Sequence, residues 1–148
     1  FRRVLFRSQT GSAPAADALA RAASDMFALN VAMLPVIAGL ERAGIPIGIL
    51  SNTCGPHWEH IVASGYAVLP GNFVVTVLSH EVATVKPEPE IYTRAAGLVD
   101  VPPERIFFCD DIPAHVDAAR AAGWDAEVFT SAVDLADALD RRGINLGM

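Results

Sequence analysis

Three short stretches of this 148-residue chain carry side chains whose types and spacing could do chemistry: Ser51-Asn52-Thr53, Lys86, and Asp110-Asp111. The first directly follows the apolar run Ile45 to Leu50, and the third follows Arg105 to Cys109. Lys86 stands in the loop beyond a further run, Phe73 to Leu78. If these runs are strands of one parallel sheet, all three stretches lie at carboxyl ends, where open α/β sheets bind ligands. A hydroxyl and an ammonium hold phosphoryl oxygens, and a pair of carboxylates holds a hard cation such as Mg²⁺. Lys86 is the only lysine among eleven basic residues. Arginine's planar fork cannot replace a compact ammonium on a flexible stem.

Elements able to position these residues are legible in the pattern. Pro35 suits the first turn of a helix whose apolar face continues through Val36, Ile37, Leu40 and Ala43 and which Gly44 ends. Ile45–Leu50 reads as a buried strand. Thr53 or Cys54 then caps a helix with Pro56 in its first turn, running to about Ser64. Phe73–Leu78 is a second strand, and Pro87 and Pro89 stiffen the loop before a helix over Glu90–Ala96 that Gly97 stops. Arg105–Cys109 is a third strand, Pro113–Ala122 a helix ended by Gly123, and Asp125–Phe129 a fourth strand. Ser131 caps a last helix reaching about Arg142. Nearly all-apolar strands alternating with helices predict an α/β fold, a parallel sheet covered on both faces.

Composition excludes several function classes. No apolar run approaches the roughly 20 residues needed to cross a bilayer. Net charge is −6, and the only basic cluster is Arg2, Arg3 and Arg7, so neither nucleic acid nor an anionic membrane is an expected partner. Cys54 and Cys109 stand far apart with no second pair, so neither zinc nor a disulfide framework is indicated and a reducing, cytoplasmic setting is expected. Cys109 reads as a buried strand thiol and Cys54 as a loop residue near the pocket. His57 and His60 share a helix face, but without a third ligand they predict no metal site.

Taken in order, the segments "GIPIGILSNT", "KPEPEIY", and "ERIFFCDD" followed by "AARAAGW" resemble motifs II, III and IV of the haloacid-dehalogenase-like (HAD) hydrolases. The likeness covers roughly Ser24 to Gly143. It is to the subgroup of haloacid dehalogenases, phosphoglycolate phosphatases and sugar phosphatases, nearest the glucose-1-phosphatase-like branch. The resemblance implies a Rossmann-like parallel sheet with helices on both faces. It implies a Mg²⁺-dependent phosphatase acting on a small-molecule phosphate ester. By the same likeness Ser51 binds the transferred phosphoryl group with Asn52 beside it, and Lys86 offsets charge on the nucleophile and phosphoryl oxygens. Asp111 is favoured as the direct Mg²⁺ ligand, with Asp110 bound directly or through water, although either carboxylate could instead cap the Pro113 helix. His115 departs from the Asp or Asn usual in relatives. It either supports the metal carboxylates by hydrogen bonding or faces solvent on the first helical turn.

The family's nucleophile comes from an Asp-x-Asp motif at the end of the first strand, and no Asp-x-Asp occurs in this chain. The expectation is therefore a fragment, inactive alone, missing the first central strand and most of the helical cap. Residues 1–8 read as an adapter-derived scar, 9–34 as a loop and cap remnant with helical composition over Ala16–Phe27, and 35–148 as the C-terminal part of the core. Without the central strand, the runs Ile45–Leu50 and Arg105–Cys109 would expose unpaired edges. They could pair directly, or a second copy could fill the slot. A marginally stable, aggregation-prone product is expected. A 2-haloacid dehalogenase, which needs no metal, and a non-catalytic HAD-like binding domain are the alternatives; the Asp110-Asp111 pair favours the phosphatase.

Overall fold

Four parallel strands alternate with helices in the computed structural model, which describes residues 15, 18, 22–24, 27–65 and 73–147. The proposed scar and half of the proposed cap remnant lie outside these residues. After a short 3₁₀ turn, Val31–Met33, the order is α1 (Leu34–Arg42), β1 (Ile47–Ser51), α2 (Gly55–Ala63), β2 (Phe73–Leu78), α3 (Ser79–Val82), α4 (Pro89–Gly97), β3 (Phe107–Asp110), α5 (Pro113–Ala121), β4 (Asp125–Val128) and α6 (Ala132–Asp140).

Local chemistry explains most boundaries. Proline occupies the first turn of α1, α2, α4 and α5, where its missing N–H costs nothing. Gly44 and Gly123 follow α1 and α5 with φ of 68° and 86°, the left-handed conformation that ends a helix cheaply when there is no Cβ. The Ser131 hydroxyl accepts the Asp134 N–H at 3.1 Å and caps α6. Some features differ from the sequence pattern. β3 starts at Phe107 because Pro102 and Pro103 set a 3₁₀ turn over Pro103–Arg105. Gly97 is the last residue of α4, and Leu98 caps it. The short helix α3, directly after β2, is not foreshadowed by any periodicity.

The strands form two separate parallel pairs, β1 with β2 and β3 with β4, and β1 does not pair with β3. β1 aligns Gly48 with Val75 and Ser51 with Leu78. A Cβ on Gly48 would lie 2.6 Å from Val75 Cγ1, so this close approach requires glycine. β3 aligns Phe107 with Asp125 and Asp110 with Val128.

Side chains alternate across these strands as the pleat demands. On one face, Val77, Ala126 and Trp124 join Ile91, Tyr92 and Ala95 of α4 and Val116 and Ala119 of α5, with Phe108 against them. Tyr92, Phe108 and Trp124 meet edge to face at centroid distances of 5.5 to 6.1 Å, contacts worth about 0.5–1.5 kcal/mol each beyond area burial. On the other face Phe107, Cys109 and Phe129 pack with Val36 of α1, Leu135 and Leu139 of α6, and Leu146. Helices thus cover both faces of β3 and β4, and the loops at the carboxyl ends of β1 and β3 are left to build a site. Among the described residues no helix is long and apolar enough to cross a membrane.

Candidate functional site

Lys86 lies at the centre of the carboxyl rim. Its ammonium donates to the Leu50 carbonyl of β1 at 2.8 Å and to Asp110 Oδ2 of β3 at 2.5 Å. It stands 5.5 Å from the centre of the Phe108 ring. One cation therefore spans the gap between two strands that share no backbone hydrogen bond. Its side chain is 8% exposed and that of Asp110 is 9% exposed, so the pair is nearly dry and its attraction is only weakly screened.

Asp110 is held from three directions. Oδ1 accepts the Ile112 N–H at 2.9 Å and contacts His115 Nδ1 at 2.9 Å, while Oδ2 takes Lys86. Burial alone would push its carboxyl up. The hydrogen bonds from Lys86 and the Ile112 amide outweigh this and hold it below the usual carboxylate range. Asp110 is therefore a fixed anion at neutral pH. The negative charge has neighbours to perturb: burial first, and Asp110 second, push the Tyr92 phenol up to about 12 and also raise the Cys109 thiol. Tyr92, fully buried, donates from its hydroxyl to the His115 carbonyl at 2.8 Å, tying α4 to the first turn of α5.

Of the two roles open to His115, the structure shows hydrogen bonding to the carboxylate: the residue is 8% exposed and bonded to Asp110. Asp111 is exposed beside it, and both aspartates line a shallow cleft with Cys109, Phe129 and Thr130. Ser51, the last residue of β1, is half-buried, and its hydroxyl makes no hydrogen bond among the described residues. Ser51 adjoins Leu50 and Asp111 adjoins Asp110, so Lys86 links the strand ends that carry both. Asn52 Nδ2 donates to the Lys86 carbonyl at 2.8 Å and Oδ1 accepts the Lys86 N–H at 2.8 Å. Its carboxamide thus engages the Lys86 main chain.

Two supporting groups carry no sequence signature. The buried Ser79 hydroxyl accepts the Thr53 N–H and donates to the Thr53 carbonyl, both at 3.0 Å, fastening the loop after β1. Glu88 accepts the Thr84 hydroxyl at 2.7 Å and the Val85 N–H at 3.3 Å, closing the loop that carries Lys86. His57 meets Phe27 edge to face at 5.1 Å. Among the described residues, no group of three or more His, Cys, Asp or Glu is gathered as a metal cage. Mg²⁺ commonly takes only one or two carboxylates and completes its shell with water and substrate oxygens. The Asp110-Asp111 rim fits that requirement.

With this geometry in view, likeness to known proteins can be weighed. A sequence model of the haloacid dehalogenase-like hydrolases matches residues 10–123. The chain is 30% identical over 99 residues to Protein CbbY of Rhodobacter capsulatus, an alignment covering 64% of this chain and 44% of that protein. It is 48% identical over 44 residues to the enolase-phosphatase E1 of Streptomyces avermitilis, covering 30% of this chain and 18% of that one. The chain spans less than half the length of these curated relatives. The fold matches a HAD family enzyme of Bacteroides thetaiotaomicron, crystallised with magnesium and inorganic phosphate, at a TM-score of 0.75 and 24% identity. That match covers 85% of this chain and 67% of the other.

Proposed function

The chain belongs to the haloacid dehalogenase-like hydrolase family, and from that premise we propose that it carries the phosphoryl- and cation-binding part of a Mg²⁺-dependent phosphatase for small phosphomonoesters. The observation that carries this reading is Lys86, whose ammonium sits on Asp110 and beside the end of β1. A buried cation between the end of β1, where Ser51 stands, and Asp110 suits an anionic transferring group, whose charge must be offset where it develops. The crystallisation of the Bacteroides enzyme with magnesium and phosphate supports the same ligand chemistry.

In this reading Ser51 donates its hydroxyl to a phosphoryl oxygen, and the N-terminal end of α2 directs its dipole toward the same anion. Lys86 neutralises phosphoryl charge and the charge of the attacking carboxylate, the nucleophile that the family's Asp-x-Asp motif supplies. Asn52 belongs to this phosphate-binding group as Ser51's neighbour, through the contact with Lys86 described above. Asp111 holds Mg²⁺ directly, and Asp110 assists directly or through water while His115 keeps its carboxylate in place. When bound, Mg²⁺ supplies Lewis-acid stabilisation of phosphoryl charge. The 148 residues contain no Asp-x-Asp motif, and in this reading the chain alone is inactive.

The test is phosphate release from a panel of small phosphomonoesters by the gene's full-length product, with Mg²⁺ or with EDTA. Turnover should require Mg²⁺ and fall at least about a hundredfold in Lys86→Ala or Asp111→Asn, the loss typical for one transition-state charge stabiliser. Metal-independent halide release from 2-haloacids, with no phosphatase activity, would assign the chain to the dehalogenase branch instead.

A further inference from the structure

Lys86 is useful only if its main chain is fixed before its long side chain reaches across the gap. Two loops meet at this residue. The loop beyond β1 presents Asn52, and its carboxamide bonds the Lys86 peptide at both its carbonyl and its N–H, each at 2.8 Å. The Asn52 loop is itself pinned by Ser79 through the Thr53 main chain. From the other side, the Glu88 carboxylate and main-chain N–H close the turn over Thr84 and Val85, the amide bonding the Val85 carbonyl at 2.7 Å. Between these two fasteners the Lys86 backbone has one orientation, and the ammonium is delivered to Leu50 and Asp110.

We infer that Asn52 is a positioning residue, a two-bond clamp that sets the main chain of Lys86 and thereby the place of its ammonium on Asp110. A carboxamide suits the task because it donates and accepts from one planar group. Aspartate keeps the acceptor but loses the donor, and alanine loses both. The consequence for catalysis rests on the phosphatase reading; the clamp itself does not.

Because Lys86 is the only lysine, the 148-residue chain made with ¹³C,¹⁵N-lysine yields one lysine spin system. In the wild-type chain the Lys86 amide should resonate away from random-coil values, and its ε-methylene protons should be shifted by the Phe108 ring. Asn52→Ala should move both signals toward random-coil values. Asn52→Asp should largely restore the amide and shift the side chain only part of the way back. Ser51→Ala, the sequence neighbour, and Val36→Ala, in the opposite core, should leave both signals in place, which separates the clamp from general destabilisation. Unchanged Lys86 signals in a folded Asn52→Ala chain would overturn the proposal. If Asn52→Ala does not fold, Asn52→Asp decides: a random-coil amide there overturns it, and a wild-type-like amide supports it. The spectra use neither metal nor substrate, so they fail independently of the phosphatase assay. In the full-length enzyme Asn52→Ala should lower kcat on the order of tenfold to a hundredfold with little change in KM. A rise in KM at constant kcat would mark a direct phosphate ligand and overturn the positioning role in catalysis.

Discussion

The two strand pairs are made of similar apolar sequence yet are held in different ways. β3 and β4 are sandwiched, with Phe108 and Ala126 against α4 and α5, and Phe107, Cys109 and Phe129 against α1 and α6. Arg142 adds a clamp, donating from Nε and Nη2 to Asp125 at 2.5 and 2.7 Å, pairing with Glu127 at 2.8 Å and lying over Phe107 at 4.4 Å. β1 and β2 bury Val77 and Leu78, but Gly48, Val74 and Thr76 are exposed, and α2 contributes no buried residue. At the carboxyl ends the pairs are joined by polar groups, Lys86 on Leu50 and Asp110 and Asn52 on Lys86. β2 enters the shared core through Val77, and the charged site adds a second tie between the pairs at the carboxyl ends.

The chain's two tryptophans give the strongest way to break this distinction. Trp124 is 7% exposed inside the aromatic cluster, and Trp124→Ala should cost about 3–5 kcal/mol in urea denaturation. Equal losses from Trp124→Ala and Trp58→Ala, on the half-buried face of α2, would erase the contrast. Lys86→Ala should cost about 3 kcal/mol, because it leaves Asp110 buried without its cation. In hydrogen exchange that variant should expose β1 amides before those of β3 and β4; uniform acceleration would deny the junction its special role.

Acid should act on the β3–β4 pair and on its junction with Lys86. Asp125 and Glu127 are depressed chiefly by hydrogen bonds from Arg142, and Asp110 is depressed despite its burial. Their unfolded values lie near ~4. The stability they contribute is therefore complete above that pH and is lost as pH falls through the lower folded values. Melting temperature should drop as pH falls below about 4, and Arg142→Gln should flatten part of that slope. The smallest effect expected is that of Trp58→Ala itself, about 1 kcal/mol.

Much of the fold was legible because most strands are largely apolar runs and most helices carry proline or glycine punctuation. β2 matches its predicted span, and β1, β3 and β4 shift by at most two residues, where Pro46 and Pro103 displace the starts. The gathering of Ser51, Lys86 and the Asp110-Asp111 pair at one rim was legible too, because parallel topology sends every carboxyl end the same way. Which carboxylate meets Lys86 was not, since adjacent aspartates differ only in the direction each takes on leaving β3. Asn52's partner was equally hidden. Its clamp depends on how closely two loops 34 residues apart approach, a distance no local pattern encodes. Ser79 sits where a strand gives way to one turn of helix, and the sequence there has no feature to mark it.

The most direct test is a double-mutant cycle on Lys86 and Asp110, using Lys86→Met and Asp110→Asn in the 148-residue chain with stability read by urea denaturation. An ammonium resting on a buried carboxylate predicts a coupling energy of at least about 1 kcal/mol. Additive losses, with coupling indistinguishable from zero, would mean that the two groups do not meet and that the rim does not exist as described.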